Sequence, residues 1–219
     1  TDFALWKFSP EGSNREMEWE SPWGKGFPGW HIECSAMSAA YLDAPFDIHT
    51  GGIDHIPVHH ENEIAQTQGA DGVLQANMWL HSDFLTVNDG KMSKSLGNLY
   101  TLDQLIEKGV EPLAYRYFVL GAHYRTKLNF TFEALGAASN ALVKLRSVVR
   151  DWDVPGEIED SFADSFLEAV NDDLNTARAL AVVWDLVDSD ISTSAKSATL
   201  LWMDRVLGFD LEKYVGVKI

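Results

Sequence analysis

The order of elements between residues 46 and 87 most constrains the fold. The stretch Phe46 to His49 is short and β-prone, and it leads into Thr50-Gly51-Gly52, a pattern typical of a strand that ends in a glycine turn. Pro57 suits the first turn of a helix, which we predict to continue to about Gln68. A second strand is predicted over 79–87. Strand, helix and strand at this spacing indicate part of a parallel α/β sheet.

The remaining segments indicate a second, helical region. A helix is predicted over 29–42, after an irregular lead-in, and from about residue 101 onward the apolar spacing becomes helical. Further helices are predicted over 111–120, 131–149, 162–184 with a break at 172–173, and about 195–207. We therefore predict an α/β fold over 1–128, followed by an all-α helical bundle over 129–219.

Charge and cysteine content exclude several classes of protein. The 219 residues carry 17 basic and 33 acidic side chains, a net charge of −16, so any contact with nucleic acid must be local. The single cysteine excludes an internal disulfide and fits a reducing compartment. No apolar run approaches the roughly 20 residues of a membrane span. These features predict a cytoplasmic protein with no membrane association.

Three residues have the spacing of a metal site. His59 and Glu63 are four residues apart, so they share one face of a helix, and Cys34 lies on the preceding predicted helix. Thiolate, imidazole and carboxylate are all zinc ligands, and three of them leave a fourth position open. The spacing alone leaves a simpler alternative, a surface His–Glu pair and a small buried cysteine.

Two further segments fit a nucleotide. The loop Lys91 to Asn98 (KMSKSLGN) offers two lysines, two serines and a glycine, which suit a triphosphate, although a solvated basic loop stays open as an alternative. The loop lacks the spacing of a P-loop. Gly52 and Asp54 follow the first predicted strand, where an acid suits a ribose diol, yet the same residues are ordinary in turns.

Taken in order, these segments resemble the cysteinyl-tRNA synthetase family of class I aminoacyl-tRNA synthetases. The resemblance rests on GWHIECSAM at 29–37, FDIHTGGID at 46–54, HHENEIAQ at 59–66 and the KMSKS-type loop at 91–98. GAHYR at 121–125 and NDDLNT at 171–176 are similar to later landmarks of the family. Two positions depart from its pattern, Val58 between Pro57 and the histidine pair, and Phe27 where arginine is more frequent.

The resemblance implies a role for each candidate residue. Cys34, His59 and Glu63 match three of the family's four zinc ligands. Lys94, together with Lys91 in the same loop, matches the ATP-binding and catalytic lysine motif. Gly52 and Asp54 match positions near the adenosine ribose in related class I synthetases. Trp30 and His49 match residues near the amino-acid pocket.

The implied activity is that of a cysteine–tRNA ligase, which activates cysteine with ATP and Mg²⁺ and transfers it to tRNA(Cys), with Zn²⁺ as cofactor. The resemblance also implies that residues 1–128 are a partial catalytic domain, the second half of a Rossmann-type class I synthetase domain. The family's HIGH-type motif and first zinc cysteine are not in this sequence, so we expect a fragment that is inactive alone. A half sheet exposes a strand edge and apolar surface, which predicts self-association or a complementing amino-terminal half.

Two other interpretations stay open. A mycothiol-type ligase that joins cysteine to an amino sugar would share the zinc site and the loop, but it needs no tRNA-binding bundle. A non-catalytic module that binds tRNA or zinc is the third hypothesis. The helices after Thr131 favour the tRNA enzyme over the amino-sugar ligase.

Overall fold

The computed structural model describes residues 3–12 and 15–217, apart from the side chain of Lys94. The chain folds into two compact units, and the boundary between them falls after Ser82. Within the described residues, no helix is long and apolar enough to cross a lipid bilayer.

The first unit is built on two parallel strands. A short hairpin joins β1 (Trp6–Phe8) to β2 (Gly26–Pro28), in a segment that the sequence predicted to be irregular. After it come α1 (Trp30–Leu42), β3 (Phe46–Gly52), α2 (Glu61–Asp71) and β4 (Ala76–Ser82). Strands β3 and β4 pair in parallel, with His49 opposite Trp79. The predicted parallel strand–helix–strand unit is confirmed.

Helix α2 begins later than the helix predicted from Pro57, because two short turns precede it. A 3₁₀ turn over Ile53–His55 is followed by one turn of π-helix over Ile56–His60, and only then does α2 begin. Pro57 therefore lies in the π-turn, where its missing N–H costs little. Helix α2 ends at Gly72, whose φ of 72° gives a left-handed cap.

The second unit begins with a three-stranded sheet in the order β6–β5–β7: β5 (Leu85–Val87), β6 (Gly90–Lys91) and β7 (Leu128–Phe130). The single strand predicted over 79–87 is wrong, because β4 and β5 belong to different sheets. Asp83 separates them: its N–H donates to the carbonyl of Tyr124 at 2.8 Å, and its Oδ1 accepts from the Phe84 N–H at 2.6 Å.

The helices of the second unit include the predicted bundle. They are α3 (Leu102–Glu107), α4 (Pro112–Leu120), α5 (Phe132–Val149), α6 (Asp160–Asn171), α7 (Thr176–Asp188) and α8 (Thr193–Leu207). Asn175 caps α7 by accepting from the Arg178 N–H at 3.1 Å, as its position after the predicted break indicated. The bundle core contains fully buried residues from four helices, among them Leu145, Phe166, Leu186 and Leu200.

The two compact units divide after Ser82, whereas the predicted boundary between the α/β domain and the helical bundle lies at residue 128. Strand β7 starts at Leu128 and pairs with β5, so residues 85–130 and the helices form one compact unit. The boundary between catalytic domain and bundle stays a prediction.

Candidate metal and nucleotide sites

The three predicted metal ligands come together in the first unit. Cys34 is on α1, His59 is in the π-turn and Glu63 is in the first turn of α2. One donor atom from each lies within 4.8 Å of the others. His59 Nε2 is 2.7 Å from Glu63 Oε1, the contact expected of side chains four residues apart on a helical surface.

Glu63 has the environment of a ligand rather than of a surface acid. Its side chain is 0% exposed, and its Oε2 accepts a hydrogen bond from Gln75 Nε2 at 2.9 Å. Its Oε1 makes no hydrogen bond to any described residue, although His59 Nε2 is close. A buried carboxylate oxygen without a donor is costly, unless a cation completes its environment. The donor set therefore fits a metal ion.

Protonation of the other two ligands also depends on burial. Burial, followed by the nearby carboxylates Glu63 and Glu33, raises the pKa of the Cys34 thiol, so the uncomplexed thiol holds its proton at neutral pH. Burial lowers the pKa of His59, which keeps its imidazole neutral, the form that binds metals. A cation among these donors would reverse the preference of the thiol, because metal binding releases its proton.

Residues of α1 hold His59 in place. His31 Nδ1 lies 2.8 Å from His59 Nδ1, which leaves the Nε2 of His59 directed at Glu63. The ring of Trp30 packs against the His59 ring with their centroids 4.2 Å apart, while much of the indole stays exposed. An outer partner that fixes the imidazole is typical of metal-bound histidines. Trp30 thus places an aromatic surface beside the candidate ligands.

The carboxyl end of β3 holds the other predicted residues of this unit. His49 Nε2 lies 2.8 Å from Glu63 Oε2, and its ring stacks on Trp79 at 4.5 Å. A Cβ at Gly52 would collide with the carboxylate of Asp54, which itself stays exposed in the following 3₁₀ turn. The geometry brings His49 to the candidate metal ligands and leaves Asp54 open to solvent.

The predicted phosphate-binding loop lies in the second unit. Strands β5 and β6 form a hairpin whose turn holds Asn88 and Asp89 at φ of 48° and 60°. Lys91 is exposed on β6, next to the loop. Asn98 closes the loop: its Oδ1 accepts from the Ser93 N–H at 2.8 Å, and its Nδ2 donates to the Lys91 carbonyl at 2.9 Å. The side chain of Lys94 lies outside the described part of the chain.

Two later motifs meet in the same unit. Asp173, in the turn between α6 and α7, accepts from the Tyr124 hydroxyl at 2.6 Å and pairs with Arg125 Nε at 2.7 Å. The Tyr124 hydrogen bond, and then the Arg125 guanidinium, lower the pKa of the Asp173 carboxyl. Segments 121–125 and 171–176 are therefore joined by a charged cluster.

Sequence reasoning missed some residues of the first site. His31 contacts His59 and Gln75 contacts Glu63, both candidate ligands, but neither has a fixed spacing from its partner. Gly51 is a further residue of this kind, because the sequence predicts a turn there but not its contact with histidine side chains. A Cβ there would lie 2.6 Å from His60 Cε1 and 2.8 Å from His55 Nδ1, so only glycine lets these imidazoles approach β3.

The fold and this site define a class I synthetase catalytic unit, and comparison with protein families agrees. Residues 1–140 match the family of tRNA synthetases class I (C) catalytic domain. Residues 165–212 match the DALR domain. The first match covers more than half of the chain, so the chain belongs to the class I (C) tRNA synthetase catalytic-domain family, as the resemblance indicated.

Several curated relatives are named cysteine--tRNA ligase. A protein named Cysteine--tRNA ligase 1 from Burkholderia lata is 56% identical over 220 residues, which cover 100% of this chain and 47% of the relative. Cysteine--tRNA ligases from Novosphingobium aromaticivorans and Treponema denticola are 47% and 42% identical, over 96% of the chain in both cases, and 46% and 48% of the relatives. The chain spans about half the length of the curated relatives it matches.

Solved structures share the fold at low sequence identity. The agnB2 LeuRS of Agrobacterium radiobacter K84, in a ternary complex with tRNA and LeuAMS, superposes with a TM-score of 0.63. It is 14% identical, and the match covers 90% of this chain and 33% of that one. Mycobacterium tuberculosis methionyl-tRNA synthetase, in complex with methionyl-adenylate, gives a TM-score of 0.51 at 20% identity, over 84% of this chain and 46% of the other. The class I synthetase fold is therefore confirmed.

Proposed function

We propose that this chain is the part of a cysteine–tRNA ligase that holds cysteine, zinc and the ATP phosphates, within an enzyme that activates cysteine and transfers it to tRNA(Cys). The observation that carries the proposal is the convergence of Cys34 and His59 on the buried carboxylate of Glu63, in a chain of the class I (C) family. The name shared by its relatives supports the same substrate.

In this proposal Cys34, His59 and Glu63 hold Zn²⁺. A zinc ion with an open coordination position would bind the thiolate of cysteine and discriminate against the hydroxyl of serine, a far poorer ligand. Trp30 and His49 flank these ligands and would orient the substrate: the indole provides an apolar wall beside His59, and His49 lies against Glu63.

Activation requires attack of the cysteine carboxylate on the α-phosphate of ATP, which is bound with Mg²⁺. Lys91 and Lys94 would bind the phosphates and stabilise the negative charge that develops on the departing pyrophosphate. Gly52 and Asp54 would bind the adenosine, because the glycine lets the Asp54 carboxylate lie against the backbone and this exposed carboxylate can accept from the ribose hydroxyls.

The helical bundle would contact the tRNA. The DALR match over 165–212 supports this assignment, as does the name of the relatives. Neither the DALR match nor the name of the relatives favours an amino-sugar ligase or a non-catalytic module. We place the enzyme in the cytoplasm, in agreement with its single unpaired cysteine. A complementing amino-terminal half, outside the matched length of the relatives, would complete the catalytic domain.

The test is ATP–pyrophosphate exchange by this chain, combined with the amino-terminal half of the Burkholderia lata relative. We expect exchange that depends on cysteine and on both halves. Loss of an outer partner of a metal ligand costs about 10- to 100-fold, so Glu63→Gln, which removes a ligand itself, should lower exchange by about 100-fold or more. Glu33→Gln is the matched control, since it removes an exposed carboxylate of α1 without removing a donor.

Zinc content provides a second measurement, independent of activity. Purified wild-type chain should retain zinc, whereas Cys34→Ser and Glu63→Gln should each lower the zinc that it retains. Undiminished exchange in Glu63→Gln would contradict the proposal. Equal exchange with serine and with cysteine would contradict it as well.

A further inference from the structure

The hairpin that precedes the loop from Lys91 to Asn98 is held by one side chain of a neighbouring strand. Asn129 lies on β7, opposite Thr86 of β5 in the parallel register. Its Oδ1 accepts from the Asp89 N–H at 2.9 Å, and its Nδ2 donates to Asp89 Oδ1 at 2.8 Å. The amide and the turn residue therefore form a closed pair of hydrogen bonds, one of which has a charged acceptor.

The partners of Asn129 fix the orientation of its amide. The Thr86 hydroxyl donates to Asn129 Oδ1 at 3.3 Å, so two donors converge on this oxygen. The amide nitrogen faces the Asp89 carboxylate, and a flipped amide would set oxygen against oxygen. An aspartate at position 129 would likewise place a second carboxylate beside that of Asp89.

The hairpin depends on this support because it is short. Strand β6 has only two residues, Gly90 and Lys91, and Lys91 pairs with Thr86 of β5. Two strands of this length are marginal in water without further contacts. Because Lys91 lies two residues after Asp89, a displaced turn would also displace the lysine.

Strand β7 supports the loop through its next residue as well. Phe130 is 2% exposed, and the ring of Tyr100, which follows the loop, lies 5.6 Å from its ring. Met92, at the start of the loop, packs against the same buried cluster. Successive side chains of a strand point to opposite faces, so β7 offers an amide to the turn and an aromatic ring to the core. Both ends of the loop and the turn before it are therefore fixed to one strand.

We propose that Asn129 is a positioning residue for the ATP step. By holding Asp89 it sets where β6 presents Lys91 to the ATP phosphates, and where the loop that carries Lys94 begins. Asn129 acts through the turn and not by contact with ATP. The inference rests on the proposed function, because it assumes that these lysines bind the phosphates.

Exchanging the two side chains tests this role. At pH 8, Asn129→Asp sets two ionised carboxylates against each other. The double variant Asn129→Asp with Asp89→Asn restores both hydrogen bonds, with the amide now on residue 89. Asn88→Asp is the matched control, because it adds the same charge at the adjacent exposed position of the turn.

The kinetic measurement is ATP–pyrophosphate exchange by each variant, combined with the amino-terminal half of the Burkholderia lata relative. Hydrogen bonds to charged groups are worth enough that Asn129→Asp should raise the KM for ATP about tenfold, while the KM for cysteine stays within about twofold. The double variant should recover most of this loss, and Asn88→Asp should behave as the wild type does. A merely structural defect would raise both KM values together.

Hydrogen exchange of the chain alone provides a readout independent of activity. The amide protection factor at residue 89 should fall about tenfold in Asn129→Asp and return in the double variant. An unchanged KM for ATP in Asn129→Asp would overturn the proposal, as would equal rises in both KM values or a double variant no better than the single one. A wild-type enzyme without cysteine-dependent exchange would contradict the proposed function instead, and the protection at residue 89 would still decide whether Asn129 holds the turn.

Discussion

Burial sets the proton affinity of His60. The residue is 3% exposed, and burial, reinforced by the neighbouring imidazole of His49, lowers its pKa to about 4 from an ordinary value of 6.5. Between these two values the unfolded chain binds a proton that the folded chain does not. The free energy of unfolding should therefore fall as the pH drops from about 6.5 to about 4.

This acid sensitivity can be measured on chain freed of metal with a chelator. At about 1.4 kcal/mol per unit of pKa, His60 contributes a loss of up to about 3 kcal/mol, which urea unfolding at a series of pH values would detect. His60→Gln should make the dependence less steep, with the remainder due to His59, whose pKa burial also lowers, whereas His55→Gln should leave it nearly intact. A wild-type free energy of unfolding that stays constant over this range would contradict the assignment.

At the same scale, local spacing explains which site residues could be predicted. His59 and Glu63 lie one helical turn apart, so their contact follows from the sequence alone. His49 and Gln75 reach the same carboxylate from β3 and from the residue before β4, a contact that depends on tertiary packing. The parallel pairing of β3 and β4, which sets His49 opposite Trp79, fixes the position of His49. This register depends on the paired strands and could not be predicted from local spacing.

Among the elements, the loop from Lys91 to Asn98 is held by hydrogen bonds of one side chain, and their contribution can be measured. Asn98 bonds to both the Ser93 N–H and the Lys91 carbonyl, and Gly97 adopts a φ of 65°. A hydrogen bond contributes about 1 kcal/mol net, so Asn98→Ala should accelerate amide hydrogen exchange at Ser93 about fivefold. Asn98→Asp keeps the acceptor for that N–H and loses only the donor to Lys91.

Mass-spectrometric hydrogen exchange with fragmentation to single residues would compare the three proteins. We expect Asn98→Asp to fall between the wild type and Asn98→Ala at Ser93. Equal exchange at Ser93 in all three would show that Asn98 does not order the loop.

The elements that the sequence predicted well are long and periodic. Helices α1, α5 and α8 start and end within about two residues of the patterns that indicated them, since apolar spacing and caps act locally. Helix α7 continues to Asp188, four residues beyond the end of its predicted pattern. Strands β1, β2 and β7 have three residues each, too few to show a period, so they could not be predicted. Their pairing comes from partners distant in the chain, as between β5 and β7.

At the scale of the molecule, one face of the β3–β4 pair lacks a cover among the described residues. Ile48 and Met78 lie opposite each other and are 56% and 57% exposed. On α1, Tyr41 is 85% exposed. Apolar patches of this kind mark interaction surfaces. The chain spans about half the length of its relatives. We expect the amino-terminal half invoked in the proposed function to cover this face.

Mixing this chain with the amino-terminal half of the Burkholderia lata relative should therefore give a one-to-one complex in sedimentation experiments. Ile48→Thr keeps a β-branched residue but loses apolar area, so it should weaken the complex about tenfold. Val154→Thr likewise replaces an exposed apolar β-branched residue by threonine, at a loop position of the second unit, and should leave the affinity unchanged. Equal weakening by both variants, or a complex that tolerates Ile48→Thr, would place the contact elsewhere.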